Sequence, residues 1–463
     1  MSVYVCPMCG YRYDEEAEGA PLSSLKECPL CGCPISQFEQ DSEPEAQPKP
    51  ERTSGGDLAY PAEFTKTDPK IRYMSEIQEM ALTGRPLSGA MGTLMPIPNW
   101  DGLVLPGAQL DPMPLDDGAD VRIETVIGPN AARPLELSGP VYVSHMSFGA
   151  LSKEAKVALA LGASAVGTAT CSGEGGILPE ERAAAAKYIF EYIPNQYSVN
   201  DENLQAADAV EIKVGQGTKP GMGGHLPGAK VTEEIARIRN KPVGQDILSP
   251  SRYRDINSPS DMKDLVSSLR RRSKGRPIGI KIAAGHVEND LAFCLAAEPD
   301  FITIDGRGGA TGSSPLILRE ATTVPTISAL CRARRFLDQK GSGVQLVITG
   351  GLRISADVAK AIALGADAVA MATAPLIALG CAQYRICGSG KCPMGVGTQD
   401  AELRRRLDVP AAAKRVENFF ACLLTELRTF ARVTGHASLI DLGPNDLCAT
   451  DRTVAEMTGI RLG

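Results

Sequence analysis

Seven of the thirteen cysteines in this 463-residue chain fall into two tight groups. Cys6-Pro-Met-Cys9 and Cys28-Pro-Leu-Cys31 are two Cys-x-x-Cys turns with 18 residues between them. Each turn aims two sulfurs at one point, so the pair offers four thiolates to a single tetrahedral metal ion. Spacing alone leaves zinc and iron equally open, and Cys33 is an extra thiol outside the set. The second group is Cys381, Cys387 and Cys392. Three thiolates without an evident fourth suit a cluster of three irons, each taking one protein sulfur. Gly388 and Gly390 let the loop wrap closely. Three buried thiols without a metal are the plainer alternative. The four histidines, His145, His225, His286 and His436, never stand in a paired helical spacing, so no histidine metal site is expected.

Lys281 lies inside the apolar run Ile278-Gly-Ile-Lys-Ile-Ala283. A charge in a buried strand is costly unless an anion partners it, although a lysine at a strand end can also reach solvent. Thr349-Gly350-Gly351 and Ala372-Thr373 supply short stretches of bare backbone whose amides can approach a phosphate closely. A lone Gly-Gly would otherwise read as a simple turn. Asp305 and Arg307 begin the loop before Gly309, where they either face a substrate or form a structural ion pair.

These groups need a scaffold, and the sequence describes one. From Pro140 onward, short Val- and Ile-rich runs alternate with Ala-rich helical patterns: Val141–Val143 before 153–162, Ile278–Ala283 before 288–297, 301–304 before a helix through Leu337, 344–348 before 355–364, and Ala368–Met371. Short apolar strands separated by helices indicate a parallel sheet buried on both faces. At least six such units fit a (β/α)8 TIM barrel of the α/β class, with a doubly wound open sheet as the alternative. Residues 1–40 form a small cysteine-dense metal domain. Residues 41–65, rich in Pro, Glu, Ser and Gly, form a linker. Residues 66–463 form the barrel domain, with a partly helical or extended lead-in to Trp100 and the second cysteine group in a loop at 380–399. A net charge of −7 without a basic patch argues against nucleic acid. The absence of a long apolar run and of a leader pattern argues against a membrane span and for a cytoplasmic location.

The N-terminal words Tyr4-Val-Cys-Pro-Met-Cys-Gly-Tyr-Arg-Tyr-Asp14 and Cys28-Pro-Leu-Cys-Gly32 resemble rubredoxin over about 40 residues. That resemblance implies a mononuclear iron held by Cys6, Cys9, Cys28 and Cys31. A shorter spacer between the turns and Lys26 in place of the usual aromatic keep zinc open. The run Ala372 to Cys381, followed by Cys-x5-Cys-x4-Cys-Pro-Met-Gly-Val-Gly-Thr-Gln399, resembles the FMN-binding synthase domain of glutamate synthase. Further matching words follow in the same order: Met146–Ser152, Cys171–Gly176, Gly215–Gly228, Ile247–Pro250, Gly309–Pro315 and Thr349–Gly351.

The second resemblance implies FMN, a 3Fe-4S cluster on Cys381, Cys387 and Cys392, and reductive amination of 2-oxoglutarate to glutamate through 2-iminoglutarate. It places Lys281 against flavin and substrate, and Ser147, Thr170, Ser172, Glu174 and Gln245 around the flavin ring. Gly350, Gly351, Ala372 and Thr373 are placed at its phosphate. Electrons would come from the rubredoxin-like iron or another donor protein. Full-length glutamate synthases begin with a glutaminase domain that this sequence lacks, so ammonia is expected from solvent or from a separate glutaminase subunit. Some pocket words differ from the family. Met222 stands at a usually acidic position, Arg307-Gly308 replaces His-Asp, and Ala284-Gly285-His286 lacks a glutamate. The alternatives are therefore a flavin oxidoreductase acting on another amino or imino acid, or an electron-transfer subunit of a larger complex.

Overall fold

The protein is described by a computed structural model, which covers residues 3–8, 11–29, 32–40, 68, 70–312 and 314–463. The expected linker lies outside the described residues, as do Cys9 and Cys31. The chain divides into two compact units, Met1–Pro86 and Leu87–Gly463. In the first, strands Val3–Val5, Arg12–Asp14 and Glu39–Gln40 form a three-stranded antiparallel sheet, with Val3–Val5 in the middle. Cys6 and Cys28 are buried beside Cys33, against Met8, Tyr11 and Phe38. The amides of Cys6 and Cys28 close their turns on the carbonyls of Tyr11 and Cys33, at 2.8 and 2.7 Å. A helix at Met74–Thr83 ends this unit.

The second unit is a TIM barrel. Its strands are β1 (Val141–Val143), β2 (Thr170–Cys171), β3 (Tyr188–Tyr192), β4 (Ala209–Lys213), β5 (Ile278–Ala283), β6 (Phe301–Asp305), β7 (Gln345–Thr349) and β8 (Ala368–Met371). Each pairs in parallel with its neighbour, from β2 through β8 and on to β1. The ring closes where the Val143 amide of β1 donates to the Ala169 carbonyl just before β2, at 3.0 Å. A helix follows each strand: α1 (Lys153–Ala165), α2 (Pro179–Ala184), α3 (Asp201–Ala206), α4 (Pro259–Arg272), α5 (Val287–Ala296), α6 (Thr326–Gln339), α7 (Ser355–Ala363) and α8 (Thr373–Leu379), with a further short helix, Leu316–Ala321, between β6 and α6. The excursion between β4 and α4 adds a short helix, Glu233–Arg239, and α9 (Val409–Thr434) packs on α1. That contact is close because Gly162 has no side chain: a Cβ there would meet Val416 at 2.6 Å.

Alternation along the strands sorts two apolar layers. Outward residues such as Val210, Ile280, Ile302 and Ile348 pack under the helices. Inward residues Ile189, Phe301, Val347 and Ala368 join Ile127, Leu135 and Leu137 of the hairpin Thr125–Ile127/Leu135–Leu137. This hairpin seals the end of the barrel where the strands begin. No helix of the described residues is long and apolar enough to cross a membrane.

Candidate active site at the mouth of the barrel

At the end where the strands finish, the inward positions change from apolar to charged. Parallel register sets Glu191 of β3 beside Glu211 of β4, Lys213 of β4 beside Lys281 of β5, and Asp305 of β6 beside Thr349 of β7. Above them opens a cavity of about 1610 Å3, including its solvent-exposed mouth. Its wall includes Ser147, Glu174, Lys281, Asp305, Gly350, Gly351, Ala372 and Thr373, and the three cysteines Cys381, Cys387 and Cys392.

Lys281 is 3% exposed. Burial opposes its charge, but Asp305, Glu191 and Glu211 outweigh that and raise its pKa. Its Nζ stands 3.8 Å from Asp305 Oδ2. Glu174 is also set against burial, yet Lys213, a hydrogen bond from Ser249, and Lys219 bring its pKa down to about 2. Its carboxylate pairs with Lys213 and accepts from the Gly224 amide. Lys219 is 2% exposed in the same wall; burial lowers its pKa against the pull of Glu174, and its ammonium makes no ion pair or hydrogen bond with the described residues. A buried ammonium left in that state favours an anion that enters the cavity.

The glycines are required by close approach. Gly350 has φ +117°, and a Cβ there would lie 2.6 Å from the Gly306 carbonyl oxygen. A Cβ at Gly309 would lie 2.9 Å from the Gly350 Cα. The loops after β6 and β7 therefore pack backbone to backbone and present amides, not side chains.

Behind the wall, one buried ammonium fixes two loops. Lys156 of α1 donates to the carbonyls of Met146, Cys171 and Ser172 at 2.5, 2.9 and 3.1 Å, and pairs with Glu181 at 2.7 Å. The loops after β1 and β2 meet where Gly173, at φ +70°, would put a Cβ 2.5 Å from the Ser147 amide nitrogen. Thr170 and Ser172 lie in this frame, outside the cavity wall, and Ser172 Oγ accepts from the Glu191 amide at 2.9 Å. Gln245 is exposed and also off the wall. Arg307 turns away as well, its guanidinium donating to the Glu320 carbonyl.

Cys387 and Cys381 are half-buried and Cys392 is buried. Lys230 reaches this loop, donating to the carbonyls of Ala150, Cys387 and Gly397 at 3.2, 3.3 and 3.4 Å. The described residues contain no group of three or more His, Cys, Asp or Glu gathered around one point as a single ion requires. Gly312 and Gly397 keep the space beside Cys387 open, since a Cβ at either would come within 3.3 and 3.6 Å of its Cβ.

Sequence reasoning did not reach Lys156, Glu191, Glu211, Lys219, Lys230 or His145. Lys219 sits inside the word Gly215–Gly228, so its position could have flagged it. His145 was considered only as a metal ligand.

Residues 106–437 match the family described as the conserved region in glutamate synthase. A glutamate synthase large subunit-like protein of Rhizobium meliloti (strain 1021) is 38% identical over 411 residues, 84% of this chain and 93% of that protein. An archaeal glutamate synthase [NADPH] of Archaeoglobus fulgidus is 34% identical over 457 residues, covering 91% and 86%. An archaeal-type glutamate synthase [NADPH] of a Thermotoga species is 41% identical over 317 residues, and the matched region spans 62% of that protein's length. Among solved structures, a flavocytochrome b2 variant with benzoylformate shares the fold at a TM-score of 0.50 and 18% identity, over 79% of each chain.

Proposed function

Because the chain belongs to the glutamate synthase family and is an oxidoreductase of the class acting on CH–NH2 groups, we propose that it aminates 2-oxoglutarate reductively to glutamate in this cavity. Ammonia is supplied from solvent or a separate glutaminase subunit, and electrons come from a donor protein. The observation that carries this reading is the meeting in one wall of two buried lysines, Lys281 and Lys219, with the paired glycines Gly350–Gly351.

The residues divide the work by charge. Bare backbone at Gly350–Gly351 and Ala372–Thr373 suits the phosphate of FMN, where a side chain would block approach. When bound, FMN supplies the hydride that an imino carbon accepts. Lys281, held cationic by Asp305, Glu191 and Glu211, is placed to stabilise negative charge at the cavity floor. Lys219, buried in the wall near Glu174 and with no ion pair or hydrogen bond to its ammonium among the described residues, is fitted to a substrate carboxylate. Glu174, kept ionised by Lys213, orients that part of the wall and takes no proton in the neutral range. Cys381, Cys387 and Cys392 line one cavity wall, and a 3Fe-4S group would be held there by these three thiols. Cys6 and Cys28, buried together, would hold a mononuclear iron with Cys9 and Cys31.

Anaerobic stopped-flow mixing of the reduced holoprotein tests the proposal. The flavin should reoxidise with 2-oxoglutarate plus ammonium, yielding one glutamate per flavin, and not with either reactant alone. If the pair leaves the flavin reduced, glutamate synthesis is excluded.

A further inference from the structure

The loop that carries Cys381, Cys387 and Cys392 is stitched to the loop after β1, which puts Ser147 in the cavity wall. The Ser152 amide donates to the Val396 carbonyl at 2.8 Å. Gln399 donates its side-chain amide to the carbonyls of Leu151 and Gly149, at 2.8 and 3.3 Å. Between the two loops stands the ammonium of Lys230, from the turn Gly228–Lys230, bridging Ala150 of one to Cys387 and Gly397 of the other. Its stem packs on Gly390, where a Cβ would come within 3.3 Å of the Lys230 Cγ.

Hydrogen bonding alone does not account for a cation at this place. Carbonyl oxygens are equally served by a neutral amide, as Gln399 serves two of them in the same seam. Lys230 is 4% exposed, and a buried ammonium is costly without an anion. Lys213 and Lys281 of the same wall have Glu174 and Asp305. The ionisable groups that bear on Lys230 are instead Cys387, Cys392 and Arg239, none of them a carboxylate. Burial lowers its pKa to about 8 against the pull of the two thiols, which leaves the ammonium form prevailing at pH 7. An iron–sulfur group on three thiolates carries negative charge that grows by one on reduction, and a buried cation beside it favours the reduced form.

We propose, on the reading that Cys381, Cys387 and Cys392 hold a 3Fe-4S group, that Lys230 raises the reduction potential of that group while tying its loop to the loop after β1. The group takes up one electron from its donor, no protein bond forms or breaks, and Lys230 keeps its proton. Lys230 is thus a positioning residue that acts through its charge.

The test uses the full chain, reconstituted anaerobically with iron, sulfide and FMN, as wild type, Lys230→Met, Lys230→Gln and Lys230→Arg. Each is poised with a redox mediator at pH 7 and at the wild-type midpoint, and the EPR signal of the oxidised cluster gives the ratio of oxidised to reduced form. Removal of the charge should raise that ratio about tenfold in Lys230→Met and Lys230→Gln, a midpoint lower by about 59 mV for one electron. Lys230→Arg, which keeps the charge, should stay within about threefold of wild type. An unchanged ratio in the neutral variants overturns the proposal, and so does an equal shift in Lys230→Arg. Should Lys230→Met fail to fold, Lys230→Gln retains a donor to the carbonyls and carries the same measurement. A cluster signal with an unmoved potential sinks the role of Lys230 alone, whereas a wild type without any cluster signal sinks the iron–sulfur reading and this role with it. Neither measurement involves 2-oxoglutarate, so glutamate synthesis stands or falls separately.

Discussion

The two ends of the barrel are built from the same eight strands and do opposite things. Where the strands begin, Ile189, Phe301, Val347 and Ala368 interlock with Ile127, Leu135 and Leu137 of the sealing hairpin in an apolar cluster. Two to four residues further along, the inward positions carry Glu191, Lys213, Lys281, Thr303 and Asp305. The first end contributes apolar burial and the second places charge in a cavity. Stability and chemistry can therefore be altered separately, because one strand reaches both ends with side chains on a single face.

The largest expected effect is at the charged end. Lys281→Met removes the floor cation while roughly keeping its volume, and should slow flavin reoxidation about a thousandfold, measured by anaerobic stopped flow. A rate within threefold of wild type would mean the floor charge is structural. At the sealed end, Phe301→Ala should cost about 3–4 kcal/mol of unfolding free energy by denaturant titration, while flavin affinity of the folded protein stays unchanged. Phe301 is fully buried and fills the space against Gly279, where a Cβ would meet its ring at 2.2 Å. A weakened flavin site in that variant would show that the two ends are coupled.

Glu174 sharpens the comparison through pH. Its carboxyl titrates near 2 in the folded chain against an ordinary 4.5, so its ionised form adds stability that is complete above pH 4.5. That stability is lost as pH falls through this range toward 2. The shift corresponds to about 3 kcal/mol. Urea titrations at successive pH values should show the loss in wild type and a correspondingly flatter profile in Glu174→Gln. The smallest effect belongs to neither end: Lys263→Ala on α4 breaks an exposed pair with Glu298 at 2.6 Å and should change stability by less than about 0.5 kcal/mol.

Much of the scaffold was legible in the sequence. Runs such as Ile278–Ala283 and Ala368–Met371 give strands at the expected residues, and 153–162, 288–297 and 355–364 give helices that match α1, α5 and α7 to within three residues at either end. Three strands were not read. β2 has only two residues, and β3 and β4 carry Glu191, Glu211 and Lys213 at inward positions, which breaks the continuous apolar run by which a doubly buried strand is recognised. The site was legible where it depends on backbone or on named words. Gly350–Gly351, Ala372–Thr373, Ser147, Glu174, Lys281, Asp305 and the three cysteines reach one cavity wall, whereas Thr170, Ser172, Gln245 and Arg307 do not.

The amino-acid sequence by itself determined the alternation of strand and helix, the positions that only glycine can occupy, and the grouping of thiols, because these depend on neighbours within a few residues. Only the tertiary structure decided which charges meet. His145, Glu191, Glu211, Thr303 and Lys281 come from five strands or their ends, up to 158 positions apart in the chain. Register across the barrel, not proximity along the chain, brings them within a few ångströms, where a low-dielectric interior makes each charge depend on the others.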